Sequence, residues 1–465
     1  MRILLLNPSR LEGVSYTILP NIGLGHIAQV LRRDGHEVVI CDANRDGLTE
    51  QGFAHVVSKN RPHILGITVF SPFMSAAERF AKAAKSARPG LTIVYGGPHP
   101  TFEPRQTLDL APIADFAVVG EGESAFPALC RHLEKRDTPL SQIPTLAYRF
   151  ENQVVINPGC FVQDLDELGP PAWDLLQPDL FPLAPNGIFS RATKVAPVIA
   201  TRGCPYPCTF CGAGVSMGKK IRSRSPKSIR DEMALLSKKY GMGEIHFMDD
   251  NFTQNREFVF ELCELLITKG PHMPWACPNG VRIDRIDADL VKLMEKAGCY
   301  SMALGIEFGT DRMLRAIRKN LTVAQIESQV RMIKENSNIR LTGFFILGHP
   351  QETETDVSRT VDFSMKLPLD RANFFNFTPF PGSALYKELK DQGALYGVPL
   401  EDLYIHKVAY HPPGISAKKL ACLQRNAHLK FYLRPKILLG LLKEIRGIAQ
   451  IRILLTRAAH LLAGK

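Results

Sequence analysis

Three cysteines stand close together, Cys204, Cys208 and Cys211, in the run Arg202-Gly203-Cys204-Pro205-Tyr206-Pro207-Cys208-Thr209-Phe210-Cys211. Their spacing is C-x3-C-x2-C. Thiolates are the ligands of iron–sulfur clusters, and a four-iron cluster ordinarily takes four of them. Three ligands leave one iron open to a small molecule. A structural zinc site wants four ligands, usually as two close pairs, and no second Cys or His pair stands at a suitable distance. A disulfide framework suits a short secreted chain, whereas this one has 465 residues. The other cysteines, Cys41, Cys130, Cys160, Cys263, Cys277, Cys299 and Cys422, are scattered and read as small buried side chains.

The thiols need a framework to hold them. Residues 2–6, 37–41, 64–69, 92–95 and 116–119 are apolar runs of strand length, followed by helix-compatible stretches such as 25–33 and 75–87. Such alternation implies a parallel sheet with right-handed crossovers. Ligands of these sheets bind outside the carboxyl ends of the strands. The turns there are rich in glycine and small polar residues, at 68–71, 96–101 and 120–124. Glycine lets backbone come close to a ligand. None of the turns is G-x-G-x-x-G, so plain dinucleotide binding is not favoured. Over residues 151–194 prolines and acidic residues punctuate a linker, with Trp173 as its anchor. The rhythm resumes at 195. Strands are expected at 196–201, 244–248, 275–279, 301–306, 340–347 and 373–378, with helices such as 228–240, 258–269 and 323–335 between them. Active groups belong at the carboxyl ends of such strands, as in full barrels, and the cysteine loop follows the first.

The cysteine run strongly resembles that of the radical S-adenosylmethionine (SAM) superfamily. The N-terminal turns ahead of it resemble the cobalamin-binding domain of the class B members. The resemblance implies an α/β fold: an N-terminal Rossmann-like cobalamin-binding domain (1–140), a linker (141–194), a partial (β/α)6 radical SAM barrel (195–389) and a helical basic C-terminal region (390–465). It implies that Cys204, Cys208 and Cys211 hold a 4Fe-4S cluster whose open iron chelates the amino and carboxylate groups of SAM. One electron then cleaves the sulfonium to a 5′-deoxyadenosyl radical.

Other roles follow from the same resemblance. Phe210 would flank the adenine of SAM, with packing under the loop as its alternative. Residues 247–252 occupy the place where relatives carry a glycine-glycine-glutamate motif for the SAM ammonium. Asp249 or Asp250 would complement that cation, against helix capping by Asp250 or Asn251. Glu307 would bind the ribose or methionine part, against a structural ion pair. Gly348 lies in a segment resembling the family's glycine-rich loop near adenine, and residues 378–383 are typical of the class. Arg282 would face a substrate or pair with Asp284 or Asp287. The expected cobalamin contacts are Thr68, Ser71, Gly96, Gly97, Thr101, Gly120, Glu121, Gly122 and Glu123. D-x-H-x-x-G, whose histidine ligates cobalt, is absent here, as is common in class B. The resemblance thus implies cobalamin bound without a protein histidine on cobalt; His26 and His99 are the tempting substitutes, each more often a helix-surface or turn histidine.

The activity so implied is that of a cobalamin-dependent radical SAM methylase of an unactivated carbon, served by an electron donor such as flavodoxin or ferredoxin. The domain order also resembles a radical oxidative cyclase, the anaerobic magnesium-protoporphyrin ester cyclase. A non-catalytic cobalamin or redox-responsive module is the reading of a different class. A methylthiotransferase would bring extra cysteines and an RNA module, and neither is seen. No further catalytic residue is assigned.

Composition agrees with a multi-domain enzyme. Hydrophobic residues are 45% of the chain, and its length suggests two or three domains. No secretory leader and no membrane-spanning run is read, and the ten cysteines fit a reducing, cytoplasmic setting. The net charge is +11; residues 415–465 hold eleven Lys/Arg against one Asp/Glu, so +10 of it lies there. Residues 435–463 alternate apolar and basic positions. Leu438, Leu441, Ile445, Ile448, Leu455, Ala459 and Leu462 could form one stripe, with Lys436, Lys443, Arg446 and Arg457 largely off it. Such a helix either lies on an anionic membrane surface or caps the barrel. The first case favours a small hydrophobic substrate, such as a lipid, isoprenoid or tetrapyrrole. Nucleic acid is not expected, because neither interleaved aromatics nor an RNA-binding module accompanies the basic tail.

Overall fold

A computed structural model of the chain describes residues 1–8, 18–135, 137–182, 190–405, 407–445 and 451. The first sheet contains β1 (Arg2–Asn7), β2 (Glu37–Asp42), β3 (Ile64–Thr68), β4 (Thr92–Gly96), β5 (Phe116–Val118), β6 (Leu146–Phe150) and β7 (Gln153–Ile156), in the order β2-β1-β3-β4-β5-β6-β7. The first five strands are parallel. Both faces of β1 are buried: Ile3 and Leu5 pack into one core, Leu4 and Leu6 into another. That is why it reads as a continuous apolar run rather than an alternating one.

The segment expected as a linker begins differently. β6 and β7 extend the first sheet as an antiparallel edge. Glu151 and Asn152 join them with φ of 46° and 63°, the left-handed pair that a two-residue hairpin turn requires. Further along, Trp173 is buried and its indole N–H donates to Glu232 at 2.9 Å.

The second half contains β8 (Val195–Val198), β9 (Thr201–Arg202), β10 (Arg222–Ser223), β11 (Glu244–Phe247), β12 (Trp275–Val281), β13 (Cys299–Glu307), β14 (Arg340–Leu347) and β15 (Arg371–Asn376). β8 and β11 to β15 form a parallel six-stranded sheet in sequence order. That unbroken order is what successive βα units give when a sheet curls without closing. The helices between them start at capping side chains: Ser225 before Pro226–Tyr240, Asn255 before Arg256–Lys269, and Thr322 with Gln325 before Val323–Asn336. β9 and β10 pair antiparallel and close the base of the cysteine loop.

The helix Ala417–Tyr432 packs on β15. Helix Pro435–Glu444 docks through buried Ile437, partly buried Leu441, and Glu444, which accepts from Arg340 at 2.6 Å and from Arg371 at 2.5 Å. The expected stripe is therefore split. Leu438, Leu439 and Leu442 face outward, with Leu433 just before the helix. Ile448, Leu455, Ala459, Leu462, Arg446 and Arg457 lie outside the described residues. No helix among the described residues is long and apolar enough to cross a membrane.

Candidate active site

The carboxyl ends of both sheets open onto one cavity of about 920 Å³. The first sheet contributes Asn7 at the end of β1, Phe70 after β3, and residues 19–23 at the start of helix Ile22–Arg33. The strand order reverses direction between β1 and β3, so this is the crevice where open α/β sheets hold ligands. The barrel contributes Cys204, Cys208, Cys211, Phe210, Asp250 and Glu307. These six, with Asn251 and Arg282, were singled out in the sequence and meet at this cavity.

The cysteine loop has little freedom. Gly203 has φ of 99°, and a Cβ there would stand 2.3 Å from the carbonyl oxygen of Lys220. The N–H of Cys204 donates to Gly218 at 2.9 Å, and the sulfur of Cys211 accepts from the N–H of Ala213 at 3.4 Å. Burial pushes the thiols of Cys204 and Cys208 up, while the charges of Arg282 and Lys319 act on both in the opposite sense. Among the described residues no three His, Cys, Asp or Glu stand tightly enough to hold a single metal ion.

The two aspartates after β11 part company. Asp250 is on the cavity wall. Asp249 points inward and accepts from the N–H of Ala200 at 3.2 Å and the hydroxyl of Thr201 at 2.7 Å. Burial pushes its carboxyl up to about 7 against those bonds. Its place is the underside of the β8 turn, and it does not line the cavity. Glu307 follows a register shift in β13 and holds φ of 66°, a strained value for a side-chain-bearing residue. Its carboxylate pairs at 3.0 Å with Lys319, itself buried and on the cavity wall. Gly348 is not on that wall; its φ of 93° is the left-handed value that favours glycine, and a Cβ there would also meet the end of the Leu420 side chain at 2.5 Å.

Arg282 pairs with Asp284 and also lines the cavity. Its Nε donates to Asp284 at 2.8 Å, and its guanidinium lies 3.6 Å from the centre of the Tyr206 ring. Tyr206 and Lys319 were not singled out by the sequence, nor was the aromatic wall of Phe344, Phe375, Phe377 and Phe380. Alternation along β14 and β15 carries the signal for the wall, since Phe344 and Phe375 meet edge to face at 5.4 Å.

On the first sheet, the turns after β3, β4 and β5 are stitched together behind the cavity. Val69 N–H donates to Gly96, the Thr101 hydroxyl donates to Gly97 at 2.8 Å, and Gly120 N–H donates to that hydroxyl at 2.9 Å. Gly97 has φ of 90°, and a Cβ there would meet the Thr68 hydroxyl at 2.8 Å. Ser71 bonds His99 Nδ1 at 2.9 Å, while His99 Nε2 is buried without a partner among the described residues. Burial brings the His99 ring down to about 4, so it is neutral at neutral pH. Burial and the charges of Arg202 and Arg224 also lower His26, which lies buried in its helix. Glu121 and Glu123, expected as cobalamin contacts, are engaged in buried ion pairs. They pair with Arg202 at 3.0 and 2.7 Å, and Glu121 also pairs with Arg222 at 2.8 Å. Burial alone would raise Glu121, but the two guanidiniums hold it below the usual carboxylate range.

Comparison with known proteins fits this geometry. The family model for the B12 binding domain matches residues 11–130, and that for the radical SAM superfamily matches residues 198–364. An uncharacterised methyltransferase of Pyrococcus horikoshii is 32% identical over 454 residues, 96% of each chain. The chain belongs to the cobalamin-binding radical SAM enzymes. The cytidylyl-2-hydroxyethylphosphonate methyltransferase of Streptomyces wedmorensis is 28% identical over 87% of this chain and 84% of its own. The anaerobic magnesium-protoporphyrin IX monomethyl ester cyclase of Cereibacter sphaeroides is 28% identical over 84% of this chain and 64% of its own. Among solved structures, the radical SAM methyltransferase TsrM of Kitasatospora setae with cobalamin and cluster bound shares the fold. Its TM-score is 0.68, at 19% identity, over 85% of this chain and 75% of that one.

This radical SAM enzyme therefore works with a 4Fe-4S cluster, SAM and cobalamin. The three thiols on the wall of a cavity of about 920 Å³ are a donor set that fits such a cluster, with room beside it for large ligands.

Proposed function

We propose that this radical SAM enzyme methylates an unactivated carbon of a small hydrophobic molecule held between its two sheets. One observation carries the reading: a single cavity touches the three cysteines, the mouth of the first sheet and an aromatic wall. When bound, the cluster supplies the electron that cleaves SAM, and cobalamin supplies the methyl group.

The chain's own residues do the rest. Cys204, Cys208 and Cys211 hold the cluster and leave one coordination position to SAM. Asp250 takes the SAM ammonium, Phe210 lies along the adenine, and Glu307, fixed by Lys319, faces the remaining polar part. Thr68, Ser71, Gly96, Gly97, Thr101, Gly120 and Gly122 line the turns that cradle cobalamin. Phe344, Phe375, Phe377 and Phe380 exclude water from the reacting carbon, which protects a radical from quenching. Flavodoxin or ferredoxin is the class of electron donor. The outward Leu438, Leu439 and Leu442, beside a strongly basic tail, lie on an anionic membrane surface.

The test uses anaerobically reconstituted protein, SAM labelled in its methyl group, a chemical reductant, and an apolar extract from cells lacking this chain. Label is expected in one apolar compound. Label confined to water-soluble compounds overturns the substrate class. A new unlabelled ring in the apolar fraction overturns methylation and supports the cyclase reading, which the protoporphyrin ester cyclase relative favours.

A further inference from the structure

The cysteine loop is gripped from two sides by the first sheet's own ligand turns. On one side the grip is polar. Arg202 stands two residues before Cys204, and Arg222 pairs with it across the β9–β10 hairpin. Both guanidiniums close on Glu121, which follows β5, and Arg202 also reaches Glu123. All four side chains are at most 7% exposed. Glu121 also accepts from the N–H of Val162 at 2.7 Å, and Arg222 donates to the carbonyl of Met217 inside the loop at 2.7 Å. A buried ion pair of this kind tolerates little displacement, because parting the charges leaves each one desolvated.

On the other side the grip is steric. Phe102 ends the short helix that begins after Gly97. Its ring fills the places where a Cβ would stand on Gly212, 2.8 Å away, and on Gly382, 2.1 Å away. Gly212 immediately follows Cys211. The ring is thus wedged between the cysteine loop and the turn after β15.

We propose that Phe102, Glu121, Arg202 and Arg222 are positioning residues that couple the two cofactor sites, so that cluster loading and cobalamin binding strengthen each other. The inference rests on the assignment of the cluster to Cys204, Cys208 and Cys211 and of cobalamin to the turns after β3, β4 and β5. Ordering either site orders the shared grip, and such coupling is reciprocal by thermodynamic necessity.

The test measures hydroxocobalamin affinity by equilibrium dialysis on the full chain, before and after anaerobic iron–sulfur reconstitution. The cluster should tighten binding by about fivefold or more, the lower end of ordinary site-to-site coupling. In Phe102→Ala and in Glu121→Gln that ratio should fall to near one. General destabilisation would weaken binding in both states and leave the ratio standing. Phe102→Leu, which fills most of the wedge, serves if the other variants do not fold, and should lower the ratio less than full removal would. Iron and sulfide content report loading independently. A parent chain that takes up no cluster overturns the cysteine assignment and this inference with it. A parent chain that loads four irons and binds cobalamin no tighter overturns this inference alone, as do folded variants that keep the parent's ratio.

Discussion

Under the turn after β14, Glu352 accepts from the N–H groups of Gly348 and His349 with one oxygen, while the other is buried without a partner among the described residues. Burial pushes its carboxyl from the ordinary 4.5 up to about 8, against those two bonds. The folded chain thus keeps a proton through that window, which the unfolded chain has already released. The contribution of Glu352 to stability is full below about pH 4.5 and is lost as pH rises toward 8. Glu352→Gln keeps an acceptor and removes the charge. It should stabilise the chain by about 3 kcal/mol at pH 9 and not at pH 5. Urea unfolding at the two pH values decides this, and an equal effect at both would refute it. Lys319→Met strands the strained Glu307 carboxylate in the cavity wall and should cost about 3–5 kcal/mol. Adding Glu307→Gln should recover much of that, as read from denaturation midpoints. Replacing Cys204, Cys208 and Cys211 together by Ala should abolish the iron–sulfur chromophore and SAM cleavage. The cysteines were legible because their spacing is local. Lys319 was not, because it reaches Glu307 only through a turn twelve positions later. Nor could composition say which of Asp249 and Asp250 faces inward; the geometry at the end of β11 decides that.

At the scale of elements, the strands of both sheets were readable wherever apolar runs alternate with helical spacing. The edge hairpin β6–β7 was not. Its residues are only partly buried on β7, and its turn signal, Glu151-Asn152, lacks the glycine that usually marks such turns. The last described helix divides its apolar residues between two jobs. Ile437 and Leu441 hold it to the barrel, with Glu444 bridging Arg340 and Arg371. Leu438, Leu439 and Leu442 touch solvent. Changing these three to Asp should leave the melting temperature within a few degrees, since exposed sites contribute little to folding. The same variant should lose sedimentation with anionic vesicles. Retained sedimentation would assign the outward face another role.

At the scale of the molecule, the excess positive charge gathers at one end of the chain. Sedimentation of the parent with anionic vesicles should therefore fall between 0.01 and roughly 0.5 M salt, as the screening length shrinks from about 30 Å to a few ångströms. Neutral vesicles should bind poorly at every salt concentration. That asymmetry was legible from the sequence alone, whereas the way the two sheets point their carboxyl ends at each other was not. It depends on contacts made across more than a hundred residues, such as Glu121 with Arg222. Those contacts also bear on how the chain can be recombined. A first sheet grafted from a relative would bring its own residues to positions 102, 121 and 123, and would meet Arg202, Arg222, Gly212 and Gly382 of the host barrel. Chimeras should stay soluble and take up cofactors only when these seven positions travel as one set, so the interchangeable unit is the interface and not the domain.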